Sequence, residues 1–421
     1  MIFIFIITIP LLLFSYNINE IQIKGNKITK DDIILREIMH PMDTSFNDSI
    51  RIKDQNRLYN LGIFSSVKIK QIKNTYQINL IEMFRIIPLP LFDLDESKTR
   101  DRTSYGFGLN ILNLNGKNRN LAFGIMLGNK NIYYLRFTDP WYFRDRISIS
   151  SNVYRNSKAS FYYENSNEIY LNHIREGFEF GIGFNHKLKE SVNINVGFFK
   201  NKIKFNDVNI DYIQSDYQNL LFDMNYTHDS RDIYVDPSNG GMFKLNINHN
   251  QDIKNKSLSY SHLAINRSIF YKIFNYKNMI LNIKTKLLIQ GIKHIPIFNY
   301  YSLGGEEFVR GYNPYPSKNN VKIQSQIRNT QLLSQSFELQ YTLIKKNNFD
   351  GIEFGIDNLI FIDIGYGSYE LNEIFKKNPL VGYGFGFKFF FSGVGVVSID
   401  FGFNQYSNKP EIHISDGQDE L

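Results

Sequence analysis

The chain has 421 residues, 48 Lys and Arg against 41 Asp and Glu for a net charge of +7, and no Cys. The missing Cys excludes disulfide and thiol chemistry, and a mean hydropathy of −0.30 excludes a bundle of membrane helices. Lys and Arg are scattered among Asn-rich stretches rather than gathered into a block, so solvated surface explains the charge and no nucleic-acid partner is expected.

Met1 to Phe14 is an apolar run containing Pro10 and no charged side chain. It is shorter than the ~20 residues a membrane helix needs and reads as the core of a signal peptide over residues 1–16. Residues 17–86 then change period twice. Asn19 to Lys24 alternates as a strand, and Thr29 is placed to cap a helix through Ile38, with Asp31 and Asp32 in its first turn. Asn47 is placed to cap a second helix through Asn60, which Gly62 ends. Two strands follow, Phe64 to Gln71 and Tyr76 to Glu82.

Residues 87–421 read as a succession of alternating segments separated by turn residues. Phe178 to Phe184, Tyr383 to Phe389 and Val397 to Phe403 each alternate aromatic or aliphatic residues with Gly, Asp, Ser or Lys. That is the dyad repeat of a membrane barrel, apolar outward and small or polar inward, and the length gives about sixteen antiparallel strands. The fold class is therefore membrane all-β, one transmembrane β-barrel preceded by one small α+β domain. Leu135 to Phe143, and Asp229 to Asp232 with Pro237 and Gly240, read as strand–turn junctions without chemistry.

The stretch Ser302 to Tyr312 stands apart. Gly304 and Gly305, then Phe308, Val309, Arg310, Gly311 and Tyr312, set one permanently charged guanidinium in a glycine-hinged, aromatic loop between two strand-like runs, as in a tethered latch. Its partner should be an acid. Alternation puts Ile360, Ile362 and Ile364 on one face of a later strand and Phe361, Asp363 and Gly365 on the other, so Asp363 points into the lumen. A second informative region is the barrel seam. The first strand, Ile86 to Leu94, contains Pro88 and Pro90, which cannot donate to a ladder; the last, Glu411 to about Ser415, sends Ile412 and Ile414 outward and His413 inward. Pairing across this seam should be weak, unless Pro88 and Pro90 belong only to a linker.

The Phe308 to Tyr312 loop, the Phe361-x-Asp363-x-Gly365 strand and the C-terminal run of alternating strands resemble the bacterial surface antigen family, the BamA/TamA-like assembly factors of the outer membrane. Residues 17–86, through their element order and Leu58 to Val67, resemble one POTRA domain, the periplasmic module of that family. The resemblance implies that the loop folds into the barrel and that Arg310 pairs with Asp363. It also implies an outer-membrane factor that captures unfolded β-barrel clients and inserts them through a lateral seam, with outer-membrane lipid and accessory assembly subunits as further partners. Family members usually end on an aromatic residue; here Asp416 to Glu420 precedes Leu421. A polypeptide secretion pore of the two-partner secretion type, which shares the loop motif, and a passive porin-like barrel are the alternatives. No cofactor, metal or catalytic residue is expected, because the eight His are dispersed and no Ser elbow or phosphate loop is present.

Overall fold

The computed structural model describes residues 17–94, 103–143, 146–164, 167–186, 189–205, 216–256, 259–273, 279–291, 301–314, 328–349, 352–391 and 395–415. The signal-peptide segment 1–16 and the acidic tail 416–421 lie outside the described residues.

The N-terminal unit runs β1 (Asn17–Ile18), β2 (Glu20–Lys24), α1 (Asp31–Leu35), β3 (Thr44–Ser45), α2 (Asp48–Asn60), β4 (Phe64–Ile72) and β5 (Thr75–Glu82). Its sheet order is β2-β5-β4, with β2 parallel and β4 antiparallel to β5. The core joins Ile33 and Ile34 of α1 and Leu58 of α2 to Val67, Ile69, Tyr76, Ile78 and Leu80 of the sheet. The Asn47 side chain accepts the Ile50 N–H at 3.2 Å, and Gly62 takes the left-handed conformation (φ +68°), as the cap signals require. The first helix departs from expectation. Lys30, not Thr29, is its N-cap, because the Thr29 hydroxyl is drawn away to Glu82 Oε1 (2.6 Å), and the helix ends at Leu35 rather than at Ile38.

Sixteen strands form the second sheet. They are β6 (Ile86–Leu94), β7 (Thr103–Leu114), β8 (Arg119–Gly128), β9 (Lys130–Phe143), β10 (Ile147–Glu164), β11 (Asn167–His186), β12 (Glu190–Phe205) and β13 (Asp216–Asp229). The series continues with β14 (Gly240–Asp252), β15 (Tyr260–Lys272) and β16 (Met279–Gly291). A long loop carrying the bridge pair β17 (Tyr301–Ser302) and β18 (Arg328–Asn329) intervenes. β19 (Gln331–Phe349), β20 (Ile352–Ser368), β21 (Leu380–Phe391), β22 (Gly395–Asn404) and β23 (Ser407–Ser415) complete the sheet. Each strand pairs antiparallel with its neighbour, and among the described residues no ladder joins β6 to β23.

The alternation sorts the wall into two faces. Phe178, Phe180, Ile182 and Phe184 of β11 are exposed, while Gly181 and Gly183 between them are buried. Cross-strand aromatics lock the outer belt, with the rings of Phe385 and Phe401 stacked 5.2 Å apart. The lumen is polar: Asp223 accepts amide bonds from Asn195 (2.8 Å) and Asn246 (2.6 Å) on the strands either side.

The N-terminal unit lies against the barrel end where the chain enters. The Lys30 N–H donates to the Gly116 carbonyl and Asn113 Nδ2 to the Thr29 hydroxyl (2.8 Å). Asn60 bonds the Asp232 carbonyl and accepts the Tyr234 N–H (2.9 Å), and Arg36 lies 4.1 Å over the Trp141 ring. The Tyr59 hydroxyl donates to Glu353; burial first, then that carboxylate, pushes the phenol pKa up and keeps it a neutral donor. These partners belong to four turns spaced round the rim, so the unit sits across the mouth. The two stretches read as plain strand–turn junctions, around Trp141 and around Arg231, supply two of these four docking turns.

Candidate functional site

Two features stand out, the loop around Arg310 and the unpaired pair of edge strands. The described part of the loop, residues 301–314, lies on the lumen side of the wall. Leu303, Phe308, Val309 and Tyr312 bury against Leu288, Leu332 and Leu380 of the wall. The Gly305 N–H bonds back to the Val309 carbonyl (3.2 Å), closing a tight bend in which Gly305 has φ +110°. Gly311 also has a positive φ (+90°), and a Cβ there would collide with the Phe403 carbonyl. The strand side yields in the same way, since a Cβ on Gly382 would strike the Arg310 carbonyl. Tyr312 ends the contact by donating its hydroxyl proton to the Val381 carbonyl (3.0 Å).

This seating buries Arg310 to 6 % exposure and Asp363 to 1 %. Arg310 Nε donates to Asp363 Oδ2 (2.8 Å) and Nη2 to Oδ1 (2.9 Å), a two-pronged fork, and the Arg310 backbone N–H adds a third bond to Oδ2 (3.0 Å). The ring of Phe361 supports the guanidinium from 3.6 Å. Gly365 places its bare backbone where a Cβ would meet Val309 and Leu303.

Asp363 is not alone. Arg310 Nη1 reaches Glu338 Oε1 (2.9 Å) and Asp400 Oδ2 (3.0 Å), and Nη2 donates to Ser336 Oγ (3.1 Å). Lys284 and Lys388 each stand 3.4 Å from Glu338. Three cations therefore face three anions along one side of a polar cavity, and the charges of these six groups balance, which is what makes the burial of Arg310, Glu338 and Asp363 tolerable. The Gly311 N–H donates to His413 Nε2 (2.9 Å), so the last strand is tied to the loop, and Asn404 Nδ2 donates to the Gly311 carbonyl. Sequence reading missed Ser336, Glu338, Asp400, Asn404 and the role of His413. Register explains why they meet: Ser336, Asp363, Gly382 and Asn404 are successive cross-strand partners, as are Asp400 and His413. The available signal was an acid at an inward position of an alternating strand.

At the other edge, Pro88 and Pro90 lie inside β6, opposite Leu109 and Phe107 of β7, and are not linker residues. The Arg85 carbonyl accepts the Leu112 N–H at 2.7 Å, in the same register as Ile86 with Ile111. Antiparallel pairing alternates, so Ile87, Leu89 and Leu91 turn their amides to β7 while positions 86, 88, 90 and 92 turn theirs to the open side. Both absent N–H groups are thus missing from the open edge. The β6–β7 ladder loses nothing. On the opposite edge, Ile412 and Ile414 face outward and His413 is buried, and β23 begins at Ser407, four residues before the expected Glu411, after an irregularity between Gly402 and Asn404.

The structure thus shows a sixteen-stranded antiparallel sheet of the membrane-barrel type, fronted by one small α+β module and holding an arginine loop against its inner face. Residues 113–419 match the Omp85 superfamily domain and residues 16–82 the surface antigen variable number repeat, the POTRA module. The chain belongs to the Omp85 superfamily and carries one POTRA domain. Its fold is similar to BamA from Haemophilus ducreyi lacking POTRA domains 1–3 (14 % identity, 95 % of this chain and 83 % of that one, TM-score 0.56). It is also similar to CdiB from Escherichia coli (12 %, 94 % and 75 %, TM-score 0.60) and to CdiB from Acinetobacter baumannii (11 %, 94 % and 73 %, TM-score 0.52). No curated protein matches the chain in sequence.

Proposed function

We propose that the protein is an outer-membrane assembly factor that inserts unfolded β-barrel clients through the seam between β6 and β23, with its POTRA domain in the periplasm. No covalent chemistry is involved. The observation that carries this reading is the asymmetry of the seam: an edge that keeps its carbonyls but lacks two donors, opposite an edge held from inside by the loop. A client strand that donates N–H groups can add to β6 by β-augmentation, whereas a stable closed ladder is handicapped there. The Arg310 cluster keeps the loop and the last strand in place while the seam is open. The single POTRA domain receives clients, and lipid and accessory subunits complete the machinery.

The test is depletion of the protein followed by quantitation of folded outer-membrane barrels by heat-modifiable gel mobility, beside a strain carrying Arg310→Ala. Simultaneous loss of many unrelated barrels in both strains is expected. Persistence of those barrels while one secreted protein accumulates in the periplasm would replace this reading with a polypeptide secretion pore; accumulation of nothing would leave a passive barrel.

A further inference from the structure

A cavity of about 1290 Å³ lies between the POTRA domain and the barrel rim, away from both the loop and the seam. Arg36, Lys53 and Arg57 line it from the POTRA side, and Trp141, Arg146 and Lys189 from the rim. Its acids are committed elsewhere, Asp229 to the Arg231 fork (2.6 Å) and Asp232 to the Ser238 and Asn239 amides. Arg57 is likewise held by Asp54. Lys53, Arg146 and Lys189 form no ion pair among the described residues, so three unpaired cations border the space against one carboxylate, Asp232, that is bound only by neutral donors.

Two further observations say what the space receives. Its lining includes Ile147, the cross-strand partner of the exposed Phe184, and His186, which lies two residues on from Phe184 on the same face of β11. The cavity thus opens at the foot of the outward apolar belt, at the level where headgroups of the near leaflet lie. On the POTRA side, Met39 lines the cavity while 62 % exposed, and exposed Ile52 adjoins Lys53, the apolar-beside-basic arrangement of surfaces that rest on a bilayer.

We infer that this cavity seats the phosphodiester headgroup of an anionic phospholipid, with Lys53, Arg146 and Lys189 round the phosphate and the acyl chains leaving over Ile147 and Phe184. The bound lipid would bridge the POTRA domain to the barrel and help fix the angle of the domain across the mouth. The inference rests on the barrel standing in a membrane, which heat-modifiable mobility of the purified protein checks separately.

Trp141 is the sole tryptophan of the chain and lines the cavity, so its fluorescence reports on occupancy directly. Full-length protein in neutral detergent is titrated with dioctanoyl phosphatidylglycerol, dioctanoyl phosphatidylcholine, inorganic phosphate and a polyglutamate peptide. A saturable change with phosphatidylglycerol alone is expected. Removing the cations singly by Lys53→Ala, Arg146→Ala or Lys189→Ala should weaken binding about fivefold each, and all three together roughly a hundredfold. All three residues are exposed, so these variants should keep the folded gel mobility. An equal response to phosphatidylcholine, a response to phosphate alone, preference for the peptide, or binding indifferent to the triple substitution would each overturn the inference.

Discussion

The two edges that flank the seam are built in opposite ways. β23 is held from within the lumen, where His413 accepts the Gly311 N–H and the neighbouring strand supplies Asp400 and Asn404 to the same loop. β6 has no such support among the described residues and instead lacks donors at Pro88 and Pro90 on its free side. A barrel whose purpose was closure would strengthen both edges. Here one edge is fixed in position and the other is kept receptive, which separates holding the gate from opening it.

The sharpest way to break this contrast is at the cluster. Arg310→Ala leaves Glu338, Asp363 and Asp400 facing only Lys284 and Lys388, and breaking a buried ion pair from one side costs about 3–5 kcal/mol. The expected outcome is loss of heat-modifiable mobility or a large drop in its melting temperature. Arg310→Ala with Asp363→Ala restores two charges of each sign and should be milder than either single change; a double variant as unstable as the sum would contradict the charge-balance account.

Next comes the tie to the last strand. His413→Ala leaves the buried Gly311 N–H without its acceptor, a loss of about 1–3 kcal/mol, and should increase proteolysis of the C-terminal strand without unfolding the rest. The opposite edge responds in the other direction. Pro88→Val with Pro90→Val returns two donors, each worth about 0.5–1.5 kcal/mol if paired, so the barrel should melt higher while assembly of clients falls. The smallest effect is expected at the docking contact, where Asn60→Ala removes bonds to Asp232 and Tyr234 and should cost about 1 kcal/mol, read as faster protease cutting between the POTRA domain and β6.

Much of this was legible in the sequence where a residue acts on its near neighbours. Asn47 and Gly62 mark the ends of α2, the alternation of β11, β21 and β22 gives the faces, and the first barrel strand runs from Ile86 to Leu94 as its pattern requires. Arg310 and Asp363 were found together because the loop and strand motifs each signal a special position. What sequence could not provide is register. Glu338, Asp400 and His413 reach the cluster only because the ladders bring β19, β22 and β23 to a common level, and an inward acid by itself does not say what it faces. Thr29 fails as a cap for a related reason: Glu82, 53 residues away, competes for its hydroxyl. The side of β6 from which the proline N–H groups are missing depends on one bond, from Leu112 to Arg85, that no local pattern reveals.

Residue-resolved amide hydrogen exchange along β6 tests the central claim most directly. Ile87, Leu89 and Leu91 should be protected by β7 while Ile86 and Phe92, on the open side, exchange at the rate of unpaired amides. Equal protection of both sets would mean that a ladder closes the seam, and the account of a receptive edge would be wrong.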